Sequence, residues 1–220
     1  SGILPKGALQ LVCGSARNIL DFVDERDVVT FTGSASTGRA LKVHPRIIEN
    51  SVPFNLEADS LNAAILGPDA GPGTPEFDLF VKEIRKEMTV KAGQKCTAVR
   101  RILVPEPHID AFQESLIAQL SKTVIGDPSV EGVRMGALVG CSQRDDVIAQ
   151  VSKLSSESDI VFGSTSNSDL SLVGASSEVG TFMSPILLRV KDSSTAVNVH
   201  EIEAFGPVSS LMSYNKVEEA

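Results

Sequence analysis

The chain has 220 residues, the size of one large domain or two small ones, and its 42% hydrophobic and 22% charged composition, with 17 Gly and 11 Pro, excludes disordered, collagen-like and low-complexity classes. A net charge of −8 with no local basic stripe repels phosphate backbones, so no nucleic-acid partner is expected. The apolar runs fall far short of the roughly 20 residues of a membrane-spanning helix, so a soluble chain with no membrane partner is predicted.

In chain order, Ala16, Ile19, Leu20 and Val23 recur at helical spacing and predict a first helix. The β-branched run Val28 to Thr32 predicts a strand. It breaks at Gly33-Ser34-Ala35-Ser36-Thr37-Gly38 and gives way to a short helical pattern from Arg39. A second strand spans Asn62 to Leu66, ending at Gly67-Pro68. Phe77, Phe80, Val81, Ile84 and Met88 then line one face of a helix that stops at Ala92-Gly93.

The alternation continues with a strand at Arg100 to Val104 and a helix carrying Ile109, Phe112, Leu116, Ile117 and Leu120 on its buried side. A further helix is predicted from Ser142 as N-cap, burying Val147, Ile148, Val151 and Leu154. Strands follow at Ile160 to Phe162, Phe182 to Val190 and Val208 to Met212. The Ser- and Gly-rich stretch 163–178 reads as a surface loop with a short strand inside, and 215–220 as the start of another helix. Strands alternating with helices of this length predict an α/β fold with a largely parallel sheet.

Three cysteines, Cys13, Cys96 and Cys141, cannot pair off completely, and Ser1 to Pro5 lacks the basic and apolar parts of a secretory signal; a reducing cytoplasm is expected. The three histidines stand isolated, no zinc-type spacing occurs, and no metal site is expected. No G-x-S-x-G supports a hydrolase serine. Four places can carry chemistry. Gly33 to Gly38, between a strand and a helix, is either a plain turn or a phosphate cradle, although neither a Walker A loop nor G-x-G-x-x-G is present. Cys96, at a helix-to-strand junction, is either a small buried residue or a nucleophile whose thiolate Lys95 and Arg100 are near enough in sequence to favour, whereas Cys13 and Cys141 read as small buried residues. Glu57, at a strand end after Val52 to Leu56, is either a solvated acid or a general base. Glu203, in His200 to Pro207, belongs to a charge run that reads as a solvated face, with Phe205 as a core residue.

The order of these signals resembles the aldehyde dehydrogenase superfamily. Phe31-Thr32-Gly33-Ser34 with Gly38, Leu56-Glu57-Ala58-Asp59, Gly93-Gln94-Lys95-Cys96, Phe182-Met183-Ser184-Pro185 and Glu203-Ala204-Phe205-Gly206-Pro207 look like its successive signatures and span essentially the whole chain. Within it, Glu57 to Asn62, Glu76 to Glu83 and Lys91 to Arg101 are similar to the aldehyde dehydrogenase part of bifunctional ring-opening proteins of phenylacetate degradation. A semialdehyde dehydrogenase of benzoyl-CoA epoxidation is the runner-up, and either implies a CoA-linked semialdehyde as substrate.

The resemblance implies an aldehyde dehydrogenase-like catalytic domain over 60–220, incomplete at its C-terminus, after the tail of a Rossmann-like dinucleotide-binding domain over 1–59. It implies Cys96 as nucleophile and Glu57 as general base. Gly33, Ser34 and Gly38 would meet the cofactor pyrophosphate, Glu203 the nicotinamide ribose, and Phe205 the nicotinamide. It further implies NADP, with NAD as the alternative, and a homo-oligomeric parent enzyme of which this chain is a fragment with little activity of its own. Ala58-Asp59 departs from the Gly-Gly that most relatives carry after the base. Two other readings stand beside this one: an association module with an idle cysteine, and a CoA-acylating dehydrogenase, against which Glu57 argues.

Overall fold

The computed structural model describes residues 3–14, 18–166 and 170–220, and the chain divides into two compact units, Ser1–Asp59 and Ser60–Ala220. In the first unit a 3-10 turn, Ile19–Phe22, precedes β1 (Val29–Gly33), α1 (Ala35–Lys42), α2 (Pro45–Glu49) and β2 (Phe54–Ala58). The strands pair in parallel with Phe31 opposite Leu56 and Thr32 opposite Glu57, which requires the helical crossover that α1 and α2 provide. Leu20, Ile47 and Val52 form the core, joined by Val23, Val29, Leu41 and Phe54. Of the predicted first helix, Ala16 lies outside the described residues. The rest is only a 3-10 turn with Ile19 exposed.

A second correction concerns α1. It begins at Ala35, because Ser34 caps it by accepting from the Thr37 amide, so residues 35–38 of the expected break are already helix and Gly38 lies inside it. Pro45 at the first turn and the His44 ring accepting from the Arg46 amide start α2, which the sequence pattern did not reveal.

The second unit runs β3 (Asn62–Ile65), α3 (Pro75–Thr89), β4 (Val99–Pro105), α4 (Ile109–Leu120), β5 (Ile125–Gly126), α5 (Cys141–Leu154), β6 (Ser158–Phe162), β7 (Leu172–Val173), β8 (Ile186–Val190), α6 (Asn198–Glu201) and β9 (Val208–Tyr214). Five strands form one sheet in the order β3-β4-β9-β8-β6. All neighbours are parallel except β6 and β8, so the expectation of an α/β fold with a largely parallel sheet is met. The two-residue side-chain period divides each strand between two cores. Ile102, Val104, Leu187 and Leu211 face α3 and α4, where they meet Phe77, Ile84, Met88, Phe112 and Leu116. Leu103, Ile186, Leu188 and Met212 face the opposite side with Val147 and Val151 of α5. Each such buried side chain contributes about 1.5–3 kcal/mol.

Helix α3 is set by the Thr74 hydroxyl, which accepts from the Phe77 amide, and by Pro75 at its first turn. Two boundaries shift from expectation. α5 starts at Cys141 after Gly140 rather than after Ser142. β8 begins only at Ile186, because Pro185 has no N–H to give the ladder. The short strand expected within 163–178 is Leu172–Val173, paired in parallel with β5, and the final segment is a 3-10 turn, Val217–Glu219. No helix among the described residues is long and apolar enough to cross a membrane.

Candidate active site

The segment carrying Cys96 is built by a sharp reversal. After α3 the chain makes a 3-10 turn over Val90–Gly93 in which Lys91, Ala92 and Gly93 take φ of 54°, 51° and 68°. The left-handed region costs an ordinary residue about 1–2 kcal/mol. At Gly93 only glycine fits, since a Cβ there would stand 2.1 Å from the Gly206 carbonyl oxygen. The reversal delivers Gln94 to Thr97 to the start of β4 with Cys96 exposed.

The backbone of this loop is fixed on several sides. The Cys96 carbonyl accepts from the Ser60 hydroxyl and, at 2.7 Å, from Asn62 Nδ2, which also reaches the Ala98 carbonyl at 3.2 Å. Gln94 Oε1 accepts from the Val139 amide at 2.9 Å. A thiol held on rigid backbone yet open to solvent is the arrangement a covalent catalyst needs. Exposure alone does not single it out, however. Cys13 and Cys141 are exposed as well, which overturns their expected burial, and Cys141 Sγ lies 3.5 Å from Thr181 Oγ1.

The two cations expected to favour a thiolate are engaged elsewhere. Lys95 Nζ pairs with Glu87 at 2.7 Å, and Arg100 is buried as the second residue of β4. The Arg100 guanidinium donates to the carbonyls of Gly93 and Gly206 at 2.7 Å each and to Glu203 Oε1 at 3.4 Å. Burial pulls its pKa below the ordinary arginine value, and the Glu203 carboxylate opposes that pull. Glu203 is therefore no solvated surface acid. Its side chain is 10% exposed, and its second oxygen accepts from the Ser60 amide at 3.0 Å. Phe205 is half-buried with Arg100 over its ring, 5.6 Å from the centroid, and its carbonyl accepts from Gln143 Nε2 at 2.9 Å. Cys96 and Glu203 thus share one hydrogen-bonded network through Ser60, which Arg100 extends, and Phe205 joins it by the contact of its ring with Arg100. Sequence reasoning missed Ser60, Asn62 and the true place of Arg100. The available signal was a polar Ser-x-Asn at the mouth of an otherwise apolar strand.

In the first unit, Gly33 ends β1, Ser34 caps α1, and Gly38 is buried because a Cβ there would meet Leu56 Cδ1 at 2.2 Å. The Ala35 amide at the N-terminus of α1 donates to Asp59 Oδ1 at 3.1 Å, so a carboxylate stands at the electropositive end of that helix. Glu57 lies on the exposed face of β2 beside Thr32, with no hydrogen bond or ion pair among the described residues. No group of three His, Cys, Asp or Glu among the described residues is placed to hold a metal.

The fold and these segments define a known class: the chain belongs to the aldehyde dehydrogenase family, whose model matches residues 2–220. It is 48% identical over its full length to the 3,4-dehydroadipyl-CoA semialdehyde dehydrogenase of Aromatoleum evansii, of which it spans 42%. Among solved structures, betaine aldehyde dehydrogenase of Staphylococcus aureus in complex with NAD+ superposes with a TM-score of 0.75 at 25% identity, covering 88% of this chain and 36% of that one. Gamma-glutamyl-gamma-aminobutyraldehyde dehydrogenase of Burkholderia cenocepacia gives a TM-score of 0.69 at 28% identity over the same shares. The chain spans well under half the length of these relatives.

Proposed function

We propose that the chain is part of an NAD(P)-dependent aldehyde dehydrogenase that oxidises a CoA-linked semialdehyde to its acid. In this reading 1–59 belongs to the dinucleotide-binding domain and 60–220 to the thiol-bearing catalytic domain. The observation that carries it is the exposed Cys96, whose carbonyl is clamped by Ser60 and Asn62 on the network that also fixes Glu203. The substrate class follows from the relative in Aromatoleum evansii, and the cofactor class from the family and the NAD+ complex of the Staphylococcus aureus relative. NADP in preference to NAD, a cytoplasmic location and a homo-oligomeric parent are further parts of the proposal, drawn from the resemblance.

The residues fit such a cofactor. Glu203 has one donor on each oxygen, and a carboxylate offers about four lone-pair sites, so acceptor capacity remains for the two hydroxyls of a ribose. Phe205 offers an aromatic face, and Ser34 with Gly33 and Gly38 a helix start where backbone comes close. When bound, the oxidised nicotinamide supplies the hydride acceptor.

The chain's own groups divide the remaining work. The Cys96 thiol gives up its proton to solvent, and the thiolate attacks the aldehyde carbon, giving a thiohemiacetal whose oxyanion the Cys96 N–H receives. Loss of hydride leaves a thioester on Cys96. Glu57, a carboxylate with no hydrogen bond or ion pair among the described residues, takes a proton from water as that water adds to the thioester; the C–S bond then breaks, the acid leaves, and the proton returns to the sulfur to restore the thiol. Cys96→Ala in the full-length enzyme should reduce aldehyde oxidation at least about a thousandfold, as loss of a covalent nucleophile does. Retained turnover rejects the assignment. Product analysis for free acid against acyl-CoA separates hydrolysis from acyl transfer to CoA.

A further inference from the structure

We propose that Arg100 is a positioning residue for cofactor binding, holding Glu203 and Phe205 in one geometry and tying both to the backbone turn that carries the thiol. The proposal rests on reading Glu203 and Phe205 as cofactor contacts.

Arg100 is 4% exposed and is the one charged residue among the buried side chains described. Taking a full charge out of water is expensive, and a buried ion pair is seldom the most stable way to fill space, so its chemistry calls for an explanation beyond packing. Its planar fork supplies one. One terminal nitrogen reaches the Gly93 carbonyl at 2.7 Å, and the other reaches the Gly206 carbonyl at 2.7 Å and lies 3.5 Å from that of Val208. Nε points to Glu203 Oε1 at 3.4 Å, and the guanidinium carbon lies over the Phe205 ring, 5.6 Å from its centroid. A planar guanidinium with five donors can meet carbonyls and a carboxylate at its edge and an aromatic ring at its face.

The contacts join segments over a hundred positions apart: the left-handed turn before Cys96 and the stretch Glu203 to Val208. Glu203 is left with its other oxygen on the Ser60 amide, and Ser60 in turn holds the Cys96 carbonyl through its hydroxyl. The carboxylate is therefore fixed from two sides, and Arg100 is its only cationic partner described. A Glu203 so fixed meets a ribose diol without first having to be ordered, which favours binding.

The test is steady-state kinetics of the full-length enzyme with Arg100→Met, Arg100→Lys, Glu203→Gln and the double variant Arg100→Met/Glu203→Gln, together with the Kd of the nicotinamide cofactor measured by isothermal titration calorimetry without aldehyde, which should move in step with each KM. Arg100→Met should raise the KM for the nicotinamide cofactor on the order of tenfold while kcat at saturating cofactor changes less than about threefold. Arg100→Lys, which keeps the charge but not the fork, should recover part of that loss. Because Arg100 acts through Glu203, adding Arg100→Met to Glu203→Gln should cost much less than it does alone. A cofactor KM unmoved by either Arg100 variant, or effects that multiply in the double variant while Glu203→Gln alone raises KM, overturns the role of Arg100 and leaves Glu203 as the ribose contact. A Glu203→Gln enzyme with wild-type cofactor KM overturns the reading of Glu203 itself. Should Arg100→Met fail to fold, Arg100→Lys decides on the same KM readout.

Discussion

Asn62 Nδ2 donates to the carbonyl oxygen of Cys96 at 2.7 Å, fixing the thiol-bearing backbone to the first residue of the sheet's edge strand. The same amide reaches the Ala98 carbonyl, so one side chain ties both ends of the Cys96-Thr97-Ala98 segment. Asn62→Ala removes both bonds, each with a net worth of about 0.5–1.5 kcal/mol. Because misplacement of a reacting group by about 1 Å costs up to a hundredfold, kcat of the full-length enzyme should fall about tenfold or more. Aldehyde turnover and urea denaturation check the two parts. Unchanged kcat with lowered stability would mean that Asn62 serves the fold alone.

Gly93 is the position in the thiol loop where substitution is least tolerable. Its φ of 68° disfavours a side chain, and the added Cβ would stand 2.1 Å from a backbone oxygen, which cannot swing aside as a side chain can. Gly93→Ala should lower unfolding free energy by more than about 2 kcal/mol, because it either opens the turn or pushes Gly206 off the Arg100 fork. Thermal or urea denaturation measures this. A variant as stable as wild type would show that the turn has room which this geometry denies it.

Much of this architecture was legible because helices α3 and α4 bury stripes at helical spacing and β4 and β8 are built around the apolar runs Ile102-Leu103-Val104 and Ile186-Leu187-Leu188, so period and composition agree. Motif order likewise pointed to Cys96, Glu203 and Phe205. What stayed hidden is long-range polar pairing. Arg100 and Glu203 are 103 positions apart, and the neighbours of Arg100 in β4, Val99 and Arg101, say nothing of the carbonyls its fork reaches. Glu203, in a run of charged residues, gave no sign that its side chain is nearly enclosed. Helix α1 began four residues early because a serine cap, not the hydrophobic period, set its start.

Tyr214, the only tyrosine, is buried at the end of β9, and its hydroxyl donates to the Leu66 carbonyl. Burial raises its pKa above the ordinary 10.0, with the Asp69 charge adding to the rise. The folded state thus keeps the phenol proton above the pH at which the unfolded chain releases it. Its contribution to stability is complete below about pH 10 and is lost as pH rises through the folded pKa. At neutral pH, Tyr214→Phe should cost about 1 kcal/mol by leaving the Leu66 carbonyl without this donor. Urea midpoints followed from about pH 8 to 11 should show the gap between wild type and Tyr214→Phe narrowing at the alkaline end. A constant gap would show that the phenol titrates alike in both states.

Asp59 bears on the proposed cofactor cradle from within the first unit. Its Oδ1 accepts from the Ala35 amide, putting a negative charge at the end of α1 that attracts anions. If Ser34 and the start of α1 receive a pyrophosphate, that carboxylate repels it and occupies an amide that would otherwise be free. Asp59→Asn keeps an oxygen acceptor for the Ala35 amide and removes the charge. An interaction of a charge with a helix terminus is worth about 0.3–1 kcal/mol, so the cofactor KM of the full-length enzyme should fall about two- to fivefold. Part of the repulsion is screened by salt, so the difference from wild type should shrink as ionic strength rises. A KM that stays the same or rises in the variant would place the pyrophosphate away from this helix end, and Ser34 and Gly38 would then be explained by the cap and by the packing against Leu56 alone.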